Sequence, residues 1–261
     1  MSEYSNYNAL VCGASEGIGY HTAKELAEMG FSVTVLSRTE SKLVSLTREL
    51  KKIDENAEHD YLATNLDGSE KLDSAIEELS KKRDYSVIIN NNAGPKAGPL
   101  AEANTSELID GFNSHIISAH ILLRHLLPGM KRSGYGRIVN VISTSVKAPI
   151  AGLGVSNTIR GAMGNWAKTL ATELGPFGIT VNNVLPGFTA TGRLESLIKG
   201  KSLKQDATIA EIENQMKSTI PLRRFAEPEE TAAAIGFLVS KSAAYINGIN
   251  IPVDGGRLQS L

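Results

Sequence analysis

The stretch Val11-Cys-Gly-Ala-Ser-Glu-Gly-Ile-Gly19 limits what this chain can fold into more than any other. A short apolar run, Ala9 to Cys12, leads into it. After it, Ile18, Ala23, Leu26 and Ala27 recur on one helical face. The order is therefore strand, glycine turn, helix. Gly13, Gly17 and Gly19 permit a tight turn and let backbone N–H groups approach a pyrophosphate, whose charge the helix N-terminus favours. The spacing, Gly-x-x-x-Gly-x-Gly, differs from the commoner Gly-x-Gly-x-x-Gly, and a plain strand-to-helix turn also uses glycine. The triplet needs context before it carries function.

The rest of the chain supplies that context. β-rich runs occur at Phe31–Leu36, Tyr61–Ala63, Val87–Ile89, Arg137–Ile142, Ile179–Val184 and Ile249–Val253. Helical patterns alternate with them at 40–53, Ser69–Lys82, Ser106–Met130, Asn157–Leu174 and Thr231–Val239. The β-runs are apolar without clean alternation, as in strands covered on both faces, which predicts a parallel sheet with helices on either side. The irregular region, 188–222, follows a strand's carboxyl end and reads as a substrate-covering loop or a surface helical insertion.

Composition narrows the function classes. The chain has 261 residues, 41% of them hydrophobic and 21% charged, which suits one α/β domain spanning 1–261. A net charge of −1 gives no reason to expect nucleic acid or an anionic membrane surface. The single cysteine, Cys12, forms no intramolecular disulfide and reads as a small core residue. The polar N-terminus lacks a signal-peptide pattern and no apolar run is long enough to span a bilayer, so a cytoplasmic protein is expected. His115, His120 and His125 are spaced by five, which puts no adjacent pair on one face as metal ligands, and no metal is expected.

With these elements placed, residues 8–257 resemble the short-chain dehydrogenase/reductase family. Gly13-Ala-Ser-Glu-Gly-Ile-Gly19 is similar to its cofactor turn, and Asn91-Asn-Ala-Gly94 to its motif after the fourth strand. Asn113 falls where the family keeps an asparagine in the long helix, and Ser143 at the position of the catalytic serine. Pro186-Gly187 with Thr191 resembles the loop beside the nicotinamide, and Val253-Asp-Gly-Gly256 the C-terminal signature. The resemblance implies a single Rossmann-type, doubly wound sheet of about seven strands. It also implies hydride transfer between NAD(P) and a small carbonyl or alcohol substrate, 3-oxoacyl groups among them, in a homotetramer or homodimer. Trp166 and Met163 look like interhelical packing, with a subunit interface as one reading.

Ser37-Arg38, ending the second strand, favours NADP over NAD, because a guanidinium matches the 2′-phosphate. Glu16, where many NADP-using relatives carry a basic residue, opposes that choice. The implied cofactor residues are Gly13, Ser15, Gly17, Ile18, Gly19, Arg38, Asn92, Gly94, Arg160, Pro186 and Gly187.

The resemblance breaks at the family's Tyr-x-x-x-Lys. Ser156 stands at the tyrosine position and Arg160 at the lysine position, and Gly154–Gly161 contains no tyrosine. A phenol of pKa about 10 comes within reach of neutral pH beside a cation, whereas an aliphatic hydroxyl does not. Ser143, Asn113, Ser156 and Arg160 are the catalytic candidates. Three readings stay open: a reductase whose proton comes from elsewhere, an NADP(H)-binding sensor or scaffold, and different chemistry on an anionic substrate anchored by Arg160. Tyr20, Tyr135 and Tyr245 read as structural, Lys147 as a loop lysine, and Lys199, Lys201 and Lys204 as a basic patch beside the substrate loop.

Overall fold

The computed structural model describes residues 2–260. Seven parallel strands, β1 (Asn8–Cys12), β2 (Ser32–Ser37), β3 (Asp60–Ala63), β4 (Val87–Asn90), β5 (Gly136–Val141), β6 (Ile179–Pro186) and β7 (Asn250–Val253), stand in the order β3-β2-β1-β4-β5-β6-β7. The nine α-helices among the described residues are α1 (Gly17–Glu28), α2 (Glu40–Ile53), α3 (Glu70–Lys82), α4 (Thr105–Phe112), α5 (Ser118–Ser133), α6 (Gly154–Leu174), α7 (Gly192–Gln205), α8 (Ile209–Ser218) and α9 (Pro228–Val239).

Strand side chains alternate between two cores. Ala9 and Val11 of β1 and Val87 and Ile89 of β4 pack with α1, α2 and α9, through Leu26, Leu46 and Leu238 among others. Leu10, Cys12 and Ile88 point the other way and pack with α3, α5 and α6, through Ile76, Leu122 and Leu170. Both faces are therefore buried, and this is why the strands read as continuous apolar runs. Each fully buried leucine here contributes about 1.5–3 kcal/mol by leaving water.

The strand order reverses between β1 and β4, the two neighbours that are not connected in sequence. Ligands bind in the crevice outside the strand ends at such a point. The glycine turn leaves β1 there and Asn91–Gly94 leaves β4.

One segment differs from the sequence reading, and another takes the helical one of its two alternatives. The long helix expected over 106–130 is α4, a π-turn at Asn113–Ile117, and α5. Ser118 donates to the Asn113 carbonyl twice, from its backbone N–H across the wide turn and from Oγ at 2.9 Å. Region 188–222 folds as α7 and α8, a helical pair with its own small core of Leu194, Ile198, Ile212 and Met216. Gly200 in the middle of α7 and its charged surface hide the helical period from a sequence pattern.

Candidate active site

A cavity of about 400 Å³ runs along the carboxyl ends of the strands, from β2 to the α7 cover. Its first wall is the glycine turn. Gly13 and Gly17 have φ of +60° and +58°, in the left-handed region. A Cβ on Gly13 would stand 2.4 Å from the Asn91 carbonyl oxygen. The Asn91 side-chain amide donates to the Gly13 carbonyl at 3.2 Å, tying the turn to the end of β4. The N-cap residue of α1, Glu16, makes no side-chain bond to the helix, so the first-turn N–H groups keep their capacity for an anion.

At the end of β2, Ser37 is buried and its Oγ has no partner, while Arg38 stands exposed beside it. An orphaned hydroxyl next to a free guanidinium fits a phosphate ester at the 2′ position. Glu16 does not spoil this arrangement. Its carboxylate pairs with Lys42 Nζ at 2.7 Å, on α2. The objection raised by Glu16 in the sequence is met by a residue 26 positions away.

The opposite end of the cavity gathers Ser143, Ser156 and Arg160. Ser143 follows β5, and its Oγ accepts the Ser145 N–H at 3.1 Å, leaving its own proton to donate. Ser156 is buried at the start of α6, where Gly154 is required. A Cβ at Gly154 would lie 2.4 Å from the Leu100 backbone nitrogen. Arg160, one helical turn on, donates from Nη1 to the Val141 carbonyl at 3.0 Å and from Nη2 to that of Asn92 at 3.4 Å. Burial, with the charge of Arg193 second, lowers its pKa to about 10, so it stays cationic at neutral pH.

Sequence reasoning missed His115. It sits in the π-turn, is buried, and shares with Arg160 a small hollow of about 20 Å³, room for one water. His115 Nε2 and Arg160 Nε are both buried without a partner. Burial, then the Arg160 charge, pushes the imidazole pKa down to about 2, against an opposing contact with the Ala93 backbone. No local pattern of residue types marks Asn113–Ile117 as a π-turn, and a regular helix there turns His115 away from the site.

Most cofactor candidates line the cavity: Gly13, Ser15, Gly17, Ile18, Arg38, Asn92, Gly94, Arg160, Pro186 and Gly187. Two candidates lie outside the cavity lining. Gly19 lies behind the turn, where a Cβ would meet the Gly13 carbonyl oxygen at 2.3 Å, so it packs against the turn. Asn113 opens the π-turn and borders a neighbouring hollow that shares Asn92, Ala93 and Gly94 with the cavity. Met163 is buried within the chain against Ile116 and Ile142, the packing expected of it.

No tyrosine lines the cavity among the described residues. Tyr135 Oη donates to the Val239 carbonyl at 2.5 Å, Tyr20 bonds Glu49, and Tyr245 is exposed. Lys147, Lys199 and Lys204 are exposed as well.

A glycine turn at the switch point of a parallel sheet, with hydroxyls and a guanidinium at the far end of one cavity, defines a dinucleotide-binding domain built for reaction chemistry. The chain belongs to the short-chain dehydrogenase/reductase family: residues 13–257 match the family described as Enoyl-(Acyl carrier protein) reductase. It is 30% identical over 258 residues to the NADPH-dependent reductase BacG of Bacillus subtilis, covering 98% of this chain and 100% of that protein. It is 31% identical to the 3-oxoacyl-[acyl-carrier-protein] reductase FabG of Pseudomonas aeruginosa, with 97% of each chain covered. The crystal structure of YwfH, an NADPH-dependent reductase involved in bacilysin biosynthesis, superposes with a TM-score of 0.93 at 29% identity over 98% of this chain and 100% of that one.

Proposed function

We propose that the protein is an NADP-dependent carbonyl reductase whose active site replaces the family's Tyr-x-x-x-Lys with Ser156 and Arg160. The observation that carries this reading is a single cavity with Ser37 and Arg38 at one end and Ser143, Ser156 and Arg160 at the other. NADPH, when bound, supplies a hydride for the substrate carbonyl carbon. Arg38 and Ser37 would hold the 2′-phosphate, and the first-turn N–H groups of α1 would receive the pyrophosphate. Ser143 Oγ directs its proton to the substrate oxygen. Arg160, with five N–H donors and two carbonyl partners, stabilises the negative charge that grows on that oxygen. The oxygen would take its proton from water, with the Ser156 hydroxyl placed to relay it rather than to act as the acid. The product is an alcohol. NADPH-dependent reduction by BacG and ketoacyl reduction by FabG are the chemistry of relatives, and they support a carbonyl substrate here.

The lack of a cavity tyrosine favours a second reading, an NADP(H)-binding sensor or scaffold that does little chemistry. Titration calorimetry with NADPH and NADH, followed by a carbonyl panel, separates the two. Micromolar NADPH binding with turnover lost in Ser143→Ala supports the reductase. Tight NADPH binding with no turnover supports the sensor, and no binding of either dinucleotide sinks both. We further propose a cytoplasmic homo-oligomer.

A further inference from the structure

We propose that Arg160 and Arg193 form an anion site over Gly94 that selects carbonyl substrates bearing a carboxylate. This inference rests on the reductase reading and names its substrate class.

Arg160 is only 7% exposed, yet its sole hydrogen bonds run to two neutral backbone carbonyls. Among the described residues no carboxylate comes within 4.0 Å of it or of Arg193, while Arg83, Arg124, Arg132 and Arg224 all have one. A buried cation without a counter-charge is costly. Arg137, also buried on backbone carbonyls, has the Tyr135 ring 4.3 Å from its guanidinium, whereas among the described residues no ring faces Arg160, and that contrast points to a missing anion.

Arg193 supplies the second arm. It belongs to the first turn of α7, at the exposed mouth of the cavity, and donates to the Pro95 carbonyl at 3.0 Å. A Cβ on Gly94 would stand 3.6 Å from Arg160 Nη2 and 3.7 Å from Arg193 Nη2. The two guanidinium groups thus face one point, and glycine leaves that point open. An oxyanion seated there would take donors from both and relieve their repulsion, and a planar carboxylate suits the fork of each.

The 2′-phosphate is assigned to Ser37 and Arg38 at the β2 end of the cavity. The glycine turn assigned to the pyrophosphate lies nearer, with Gly17 against Thr191, so the phosphate arm of the test separates a dinucleotide phosphate from a carboxylate. Four arginines (38, 160, 193 and 257) line the cavity against one carboxylate, Glu16, which is already paired. Ile150, Leu153 and Leu197 make the adjoining wall apolar, as the uncharged body of an oxo acid requires.

The test uses NADP⁺-saturated protein and two measurements. In thermal unfolding at constant ionic strength, replacing chloride by acetate should raise Tm by about 2 °C or more. In calorimetry, levulinate should bind at least about ten-fold more tightly than methyl levulinate. Arg193→Gln, at an exposed position that leaves the core intact, should abolish both effects while keeping NADPH affinity within about two-fold. Equal binding of acid and ester overturns the proposal, as does a preference unchanged in Arg193→Gln. Stabilisation by inorganic phosphate but not by acetate also overturns it. Failure of NADPH itself to bind would sink the reductase reading first, and the acetate measurement on the free protein would still decide the anion site.

Discussion

The two ends of the cavity are made of different material. The glycine-turn end is backbone held by a single side-chain amide. Gly13, Gly17 and the Asn91 amide define it, and its one acid, Glu16, is paired with Lys42. The far end is made of side chains, and several of them are unsatisfied. Arg160 has no counter-charge, and Arg160 Nε and His115 Nε2 have no partner. The difference teaches where specificity can change. A backbone cradle has one solution and tolerates little alteration, whereas side chains on α6, α7 and the π-turn can be exchanged without disturbing the sheet.

Breaking the backbone end should have the largest effect. Gly13→Ala puts a Cβ against the Asn91 carbonyl at a positive φ, and should weaken NADPH binding about 1000-fold, or about 4 kcal/mol, by calorimetry. At the side-chain end, Ser143→Ala should lower kcat about 100-fold and leave the NADPH Kd unchanged, as loss of one oxyanion donor does.

Next comes a dependence on pH. Burial holds His115 neutral, with its pKa lowered from 6.5 to about 2. As pH falls through 6.5, the unfolded chain takes a proton that the folded chain refuses. Stability is therefore full above 6.5 and is lost progressively below it. Between pH 7 and pH 5 this costs about 2 kcal/mol. His59, also depressed mainly by burial, adds in the same direction. Urea unfolding at the two pH values should show the wild type losing more stability than His115→Asn, and an equal loss would place the imidazole in water.

Smaller effects sharpen the contrast at the cofactor end. Arg38→Gln should weaken NADPH binding about ten-fold and leave NADH unchanged, since only the phosphate contact is lost. Lys42→Ala should weaken NADPH about two-fold by freeing the Glu16 carboxylate, an exposed pair of modest worth.

Much of the fold could be read from the chain before its structure. Residues 40–53 form α2 as the apolar period predicts, and Val87–Ile89 is the buried strand its composition suggests. The errors fall where periodicity fails. A π-turn adds a residue to the helical count, so a regular helix drawn through 106–130 turns His115 away from the site. Gly19 carries the same letter as Gly13, yet one packs against the turn that the other forms.

By itself the sequence determined the strand–glycine–helix start, the alternation of elements, the buried strands and the absence of a tyrosine between 154 and 161. Those are local properties of residue type and spacing, and they need no partner from afar. The tertiary structure alone decided that Lys42 neutralises Glu16, that Asn91 fastens the turn, and that Arg193 joins Arg160 over Gly94. Each of these pairs residues distant in the chain. Their meeting depends on sheet order and on where α7 closes, and neither follows from the local pattern of side chains.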